Sequence, residues 1–435
     1  MSDKRWTDEL LNRMRLTGDP IADKAAKVLW ENQNSRAIIE ELKLISKDHN
    51  LVTYGKAKEL QEYFQVTEII NVTQEEIEKF KISANIFNNY GFRLCGLLFF
   101  KALPTGYTCP KPGHVLENTK LLINFAARRV METAQFVFAV NNGEWYKPGS
   151  NGLEAIQKVR LMHAGMRQAL LNDTRPGHEW NMELGIPINQ EDVALTNHLF
   201  SVGMIEGLDQ MGVHLHDEER EAVVHTWQKI GQSMGISEEL TTFEYKDAQN
   251  QYETIINRQY SENNPDGKKL TNALLEGMNQ ILNAKIPIKD LENIVIYFVN
   301  KRNAWKSLGM HQPSVFDRVF DFCIQKILSM RLWQKLFHRD NTHVKNDYLM
   351  RMVNKFIAYR FNLTEQFEKY PRVSLLESIT KIMLNNLAKK DLQNFENANS
   401  LAVQKEFMIP SMLYESWDLG GYEMDVPPAD IKGEK

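Results

Sequence analysis

The sequence predicts an all-α fold, and three observations lead to this prediction. Apolar residues recur every three or four positions over long segments, whereas the alternation typical of half-buried strands is essentially absent. Helix-start signals precede several of these segments, such as Asp19 followed by Pro20 and the capping-box spacing from Thr73 to Glu76. The 435 residues are 43% hydrophobic and 25% charged, which is typical of a globular protein with a substantial core.

The first part of the chain is predicted to be mostly helical. Residues 2–64 indicate three or four helices, which we expect to pack around the core as an outer layer. A longer helix is predicted from Thr73 to Lys101. Residues 104–115 (PTGYTCPKPGHV) are rich in glycine and proline and therefore predict a loop.

Two predicted helices at the centre of the chain, joined by a Gly/Asn/Pro connector, carry polar residues on their apolar faces. On the first helix, Arg129 and Thr133 lie one turn apart within the apolar stripe. On the second, His163 is centred on the stripe, with Arg160 and Arg167 one turn to either side. A buried guanidinium is costly unless it is paired, and neither helix offers an acidic partner on this face. We therefore expect something else to carry the negative charge.

Two interpretations of these residues are open. A haem would satisfy them together, because a histidine can be the proximal iron ligand, arginines can pair with propionates, and a further arginine and a threonine can face the distal side. The structural alternative is a hydrogen-bonded core histidine at position 163, a surface pair of Arg128 with Glu132, and an Arg129 side chain that extends to water.

The second half of the chain is predicted to be helical as well. Asn189 is a good helix N-cap, with acidic residues in the following turn, and another helix starts near Asp217. His214 and His216 suggest a metal pair, but a solvated helix cap explains them equally well. Further helices are predicted at 237–260, 268–283, 291–305, 315–337 and 344–361, and the turn SENNPDG separates the first two.

Composition excludes several classes of function. The net charge is only -4 and the basic residues are spread along the chain, so a nucleic-acid partner is not expected. The three cysteines lie far apart, no apolar run approaches a membrane span, and we predict a cytoplasmic protein. No histidine follows a glutamate at the spacing of a di-iron bundle, and zincin, Walker A and GxGxxG patterns are absent from the sequence.

The central helices also carry a resemblance. Four strings occur in the same order as in a known oxygenase family: RRVMETAQFV at 128–137, VRLMHAGMR at 159–167, GIPINQEDVALT at 185–196 and HTWQKIGQSMGI at 225–236. The chain thus resembles the family that includes the latex-clearing rubber oxygenases and the ER-bound oxygenases of fungal meroterpenoid pathways. The likeness is clearest over 92–236 and continues more weakly from GDPIAD at 18–23 to SLGM at 307–310.

The resemblance implies a haem b protein with a globin-like helical core. His163 would be the proximal iron ligand, and Arg129 and Thr133 would be the distal arginine and threonine. Rubber oxygenases have a lysine immediately before that threonine, where this chain has Glu132, so a lysine ligand to the iron is not expected here. Glu132 can transfer a proton if it turns inward, or pair with its surface neighbour. Arg160 and Arg167 are the candidate partners of the haem propionates.

The function that we predict on this basis is that of a haem-dependent oxygenase. It would activate dioxygen to oxidise or cleave a carbon–carbon double bond of a small apolar substrate of the isoprenoid or lipid-like class. The alternatives are a haem-binding sensor without turnover and a cofactor-free helical scaffold.

We expect four parts in the chain. They are an N-terminal helical layer at 1–70, a haem-binding globin-like core at 71–262, a C-terminal helical section at 263–415 and a mobile tail at 416–435.

Overall fold

A computed structural model of the protein describes residues 5–32, 58–119, 126–173, 179–281, 287–299 and 303–313. Every regular element within these ranges is helical, which confirms the predicted all-α fold. The helices of the first half are α1 (Asp8–Arg15), α2 (Pro20–Asn32), α3 (Lys58–Glu68), α4 (Gln74–Leu97), α5 (Leu103–Tyr107), α6 (Pro110–Thr119), α7 (Ala126–Val140) and α8 (Asn151–Leu171). Those of the second half are α9 (Gln190–Phe200), α10 (Val202–Gln210), α11 (Asp217–Ser233), α12 (Tyr245–Gln259), α13 (Pro265–Ile281), α14 (Ile288–Val299) and α15 (Ala304–Ser307). A π-helical turn at Leu98–Ala102 joins α4 to α5.

Three predicted helix starts are confirmed by their hydrogen bonds. The Asp19 carboxylate accepts a bond from the backbone N–H of Ala22 (3.3 Å) at the start of α2. At α4 the Thr73 hydroxyl accepts from the backbone N–H of Glu76 (3.2 Å), whose carboxylate accepts from that of Thr73 (2.7 Å). Asn189 caps α9 in the same way. Each cap stabilises its helix by about 1 kcal/mol, because it satisfies a backbone donor that has no partner within the helix.

The loop predicted at residues 104–115 is wrong, because this segment forms α5 and α6. Pro110 lies at the start of α6, where the backbone N–H that proline lacks has no partner within the helix anyway, and Pro104 is the second residue after the π-helical turn that leads into α5. His114 consequently lies within α6, and its Nδ1 is 2.8 Å from a carboxylate oxygen of Asp266 on α13. Neither proline excludes a helix here.

Two groups of buried apolar residues hold the described helices together. The larger core extends from Trp6 to Met310; within it α4 packs against α11, and α7 packs against α13. The smaller group joins α2, α3 and α8. Helix α8 contributes to both, since Ile156 belongs to the larger core whereas Leu161 and Ala164 belong to the smaller. Helix α8 therefore lies between the N-terminal helices and the centre of the protein.

The four-part division of the chain stays a prediction. The larger core crosses the expected borders near residues 70 and 262 without a break. The helices predicted at 315–337 and 344–361 and the tail at 416–435 lie outside the described residues. No helix in the described ranges is long and apolar enough to cross a membrane.

Candidate functional site

The candidate site is built on the hairpin of α7 and α8. The connector between them ends at Ser150, whose hydroxyl accepts a hydrogen bond from the backbone N–H of Leu153 (3.2 Å) and so starts α8. A Cβ atom added to Gly152 would lie 2.8 Å from the carbonyl oxygen of Ala139, so the two helices touch closely at this end of the hairpin. Helix α8 then returns along α7.

Helix α8 divides into a buried face and a half-buried face. The predicted single apolar stripe is thus split by the packing. Buried residues on one face are Ile156, Arg160, Ala164 and Arg167, and half-buried residues on the adjoining face are Val159, His163, Met166 and Leu170. His163 therefore lies at the border of the packed surface and not at its centre. The two arginines, in contrast, are 8% and 3% exposed and need partners inside the protein.

Arg160 finds its partner at the start of α2. Its Nε and Nη2 donate to the two carboxylate oxygens of Asp19 at 2.5 and 2.8 Å, and Nη1 donates to the carbonyl oxygen of Ser233 at 3.0 Å. This two-pronged geometry is the strongest that an arginine makes with a carboxylate. Asp19 thus has two roles, because the same carboxylate caps α2.

Arg167, two turns after Arg160 on α8, is held by a second carboxylate of α2. Its Nη1 donates to Asp23, and its Nε and Nη2 donate to the carbonyl oxygens of Pro187 (3.0 Å) and Ile188 (2.6 Å). Burial raises the pKa of Asp23, although the neighbouring Arg167 opposes this shift. Every nitrogen of this buried guanidinium therefore donates to a protein group.

The negative charge expected beside Arg160 and Arg167 comes from elsewhere in the protein and not from the two central helices. The counter-charges are Asp19 and Asp23, more than 140 residues earlier in the chain. Asp19 and Asp23 are one turn apart, about 6 Å along the helix axis, whereas Arg160 and Arg167 are two turns apart, about 10 Å, so helical spacing alone does not predict this match. The propionate role of these arginines stays a prediction, but without the unpaired charge that motivated it.

Gln190 joins the same segments through its side-chain amide. Nε2 donates to the carbonyl oxygens of Gly18 (2.7 Å) and Gly235 (2.8 Å), and Oε1 accepts from the backbone N–H of Ser237 (2.7 Å). The strings GDPIAD, VRLMHAGMR, GIPINQED and HTWQKIGQSMGI therefore converge behind α8, although they are far apart in sequence. Position 235 has no room for a side chain, since an added Cβ would lie 2.1 Å from Asp19.

The residues that follow Asn189 do more than start a helix. Glu191 and Asp192 are buried, and both accept hydrogen bonds from Nη1 of Arg15 on α1 at 3.0 Å. The second oxygen of Glu191 lies 2.8 Å from Nε of Arg258 on α12. This cluster attaches α1 to α9 and α12, a structural role that sequence patterns did not reveal.

Arg129 and Thr133, the residues predicted on α7, lie near the level of His163 along the hairpin. Arg129 is ten residues before the contact at Ala139, and Met162 is ten residues after Gly152, so the backbones of Arg129 and His163 lie at nearly the same height. Thr133, one turn from Arg129, is half-buried. The side chains of Arg129 and Glu132 are outside the described part of the structure, and their catalytic roles stay predictions.

Other histidines have structural roles in the described parts of the chain. His198 is buried against Gln251, and burial lowers its pKa to about 4. His225 lies 3.3 Å from Glu76. His214, which suggested a metal pair with His216, is exposed beside Asp209. Within the described residues no group of three or more His, Cys, Asp and Glu side chains is arranged to hold a metal ion.

Comparisons with known proteins match the region that contains this hairpin. The family described as "ER-bound oxygenase mpaB/B'/Rubber oxygenase, catalytic domain" matches residues 101–324. A rubber oxygenase of Streptomyces sp. (strain K30) is 26% identical over 150 residues, which cover 34% of this chain and 36% of that protein. The chain thus matches only about a third of the length of that relative.

A solved structure extends the likeness of fold beyond this segment. The latex clearing protein LCP in its closed state superposes with a TM-score of 0.57 and 19% identity, covering 73% of this chain and 84% of that one. At this identity the superposition supports the fold alone. The family match, however, includes more than half of the chain, with α7, α8 and two of the segments that converge behind α8. The chain therefore belongs to the rubber oxygenase and ER-bound oxygenase family of catalytic domains, an oxidoreductase family, as its central motifs predicted.

Proposed function

We propose that the chain is a haem b-dependent oxygenase that uses dioxygen to oxidise or cleave a carbon–carbon double bond in an apolar substrate of the isoprenoid or lipid-like class. The observation that carries this proposal is the position of His163. In a chain of an oxygenase family, it lies half-buried on α8 next to the half-buried Val159, Met166 and Leu170, whereas the arginines beside it are buried.

The residues on this face are of the types that a haem needs. An imidazole is the commonest proximal ligand of haem iron, and Val159, Met166 and Leu170 add an apolar surface on which a porphyrin can lie. His163 would hold the iron, and the bound haem would supply the binding and activation of dioxygen. Thr133 and Phe136 form the half-buried flank of α7 and would help to line the same space.

The protein's own residues would position His163 and set the environment of the haem. The ion pairs of Arg160 and Arg167 fix the rotation of α8 about its axis, and thereby the direction in which His163 points. The hydroxyl of Thr133 can donate a hydrogen bond, and Arg129 supplies a permanent positive charge one turn away. Glu132 stands where the rubber oxygenases have a lysine and can hold a proton near this level of α7.

The absorption spectrum of the purified protein tests the proposal. The wild type, reconstituted with haemin, should have a Soret band, and His163→Ala should lose or shift it while retaining the helical circular dichroism. His214→Ala is the matched control, because His214 is exposed and far from α8 in sequence. A wild type that binds no haem would contradict the proposal, and normal haem content in His163→Ala would contradict the assignment of the ligand.

Oxygen uptake separates an oxygenase from a haem-binding sensor. Dioxygen should be consumed when a polyisoprene oligomer or a prenylated lipid is added to the haem-loaded protein, with oxygenated products in the mass spectrum. Arg129→Ala should lower the rate of this turnover while it leaves the free energy of unfolding nearly unchanged. A loss of turnover that is accompanied by a loss of stability would indicate a structural arginine. A haem protein that consumes no oxygen with either substrate would favour the sensor.

A further inference from the structure

An internal cavity lies between the helices beside α7. It has about 30 Å³ of free space, and the described residues that line it come from α4, α7, α9, α10 and α11, from the residue after α7 and from the segment before α11. Twelve of these thirteen residues are buried; the exception, Phe200, is half-buried. The walls include Phe87, Leu94, Val137, Met204, Val223 and Trp227. The cavity is therefore part of the protein interior.

Its walls are almost entirely apolar. Among the described lining residues only Ser83 and Asn141 carry a polar side chain, and the amide nitrogen of Asn141 is already engaged with the carbonyl oxygen of Val137 at 2.7 Å. A buried water needs two to four polar partners, and these two side chains supply at most the minimum, so the wall favours an apolar occupant. Apolar cavities of this kind stay dry and accept small apolar molecules such as xenon.

The size of the cavity selects among apolar ligands. A water-sized sphere needs roughly 10–15 Å³, so the space holds about two such spheres. Dioxygen has two heavy atoms and no charge. A five-carbon isoprene unit has too many atoms for this space, and neighbouring close-packed side chains resist expansion.

The position of the cavity connects it to the candidate site. Val137 in its wall lies one turn after Thr133 on the same face of α7, about 6 Å along the helix axis. We propose that this cavity is a docking site for dioxygen, which holds the gas beside the Thr133 face of α7. The role of this cavity in catalysis rests on the proposed oxygenase function, whereas the binding of a gas in it can be tested without that function.

Xenon binding tests the cavity independently of haem and of activity. Saturation-transfer NMR with hyperpolarised xenon should detect a bound signal in the full-length protein, prepared both with and without haemin. Val223→Ile adds one methyl group to the wall and should abolish or strongly weaken this signal. Val224→Ile is the matched control: Val224 is its neighbour, is completely buried, and does not line the cavity. Ile205→Val removes one methyl group from the wall and should strengthen the signal.

Oxygen kinetics then test the purpose of the site. In the haem-loaded enzyme, Val223→Ile should raise the KM for dioxygen more than it lowers kcat, whereas Val224→Ile should change neither. Absence of a xenon signal, or a signal indifferent to both Val223→Ile and Ile205→Val, would overturn the proposed site even if the enzyme is active. Xenon binding with an unchanged KM for dioxygen in Val223→Ile would overturn the role in catalysis. If the protein binds no haem, the proposed function fails while the xenon result still decides whether the cavity accepts gas.

Discussion

Replacement of Asp19 by alanine should destabilise the protein severely. The side chains of Asp19 and Arg160 are only 8% and 9% exposed, so the variant leaves a buried guanidinium without its counter-charge. Removal of one member of such a pair costs about 3–5 kcal/mol. Loss of the cap of α2 adds about 1 kcal/mol, because the backbone N–H of Ala22 loses its acceptor. We therefore expect a total loss of about 4–6 kcal/mol in the free energy of unfolding.

Three further variants, Asp19→Asn, Arg160→Met and the double variant, separate these contributions. Asp19→Asn keeps a side-chain oxygen for the cap but removes the negative charge, so its loss should be smaller by about the 1 kcal/mol of a cap. The double variant of Asp19→Asn with Arg160→Met removes both charges, and a double-mutant cycle then isolates the interaction between them. Urea-induced unfolding, followed by circular dichroism, gives the free energies for Asp19→Ala and for the four proteins of the cycle, which are the wild type, Asp19→Asn, Arg160→Met and the double variant.

The same measurement distinguishes the two possible partners of Arg160. If Asp19 neutralises it, the loss in Asp19→Ala should be as large in the haem-loaded protein as in the haem-free protein. A loss below 1 kcal/mol in the haem-free protein would refute the reasoning, and a loss that disappears when haemin is bound would identify a haem propionate as the counter-charge.

Three more predictions follow from the packing and the pKa shifts. Gly235→Ala should destabilise the protein more than Gly149→Ala; both glycines have positive φ, but only at position 235 would the new methyl group displace the buried ion pair, and urea titration compares them. Burial lowers the pKa of His198 to about 4. Because the unfolded chain takes up the proton first, the free energy of unfolding should fall by about 3 kcal/mol between pH 7 and pH 4, and His198→Gln should remove this pH dependence. Burial alone would raise the pKa of Glu76, but hydrogen bonds from Thr73 and Lys229 lower it to about 2. The stabilisation by Glu76 should be complete above about pH 5 and lost as the pH falls towards 2, and the stability of Glu76→Gln should depend less on pH in this range.

Local chemistry explains which parts of the fold could be predicted from the sequence. The helix starts at Asp19, Thr73 and Asn189 were predictable, because a cap depends on residues within one turn of each other. The loop expected at 104–115 was wrong for the same local reason: proline in the first turn of a helix and proline in a loop look alike in sequence. Periodicity gave the fold class, but not the packing between helices.

The candidate site was only partly predictable. Helical register placed His163 and the two arginines together on α8, and this much is a property of a single helix. Register does not say which neighbour covers which side, so the division between Arg160 on the buried face and His163 on the half-buried face became visible only in the structure. The contact of Arg160 with Asp19 joins segments 141 residues apart, a separation at which pattern reasoning has no direct signal.

The two faces of α8 give its polar residues two different roles. Arg160 and Arg167 are the most polar residues next to His163, and their position first indicated a cofactor with negative charge. The ion pairs with Asp19 and Asp23 give them a different role, since they attach α8 to α2, while His163 on the adjoining face stays half-buried. A helix that must hold a ligand on one side cannot be packed by neighbours on that side, so its stability depends on the other side. Charged groups supply that stability here with directional bonds, which fix the rotation of α8 more strictly than apolar contacts alone would.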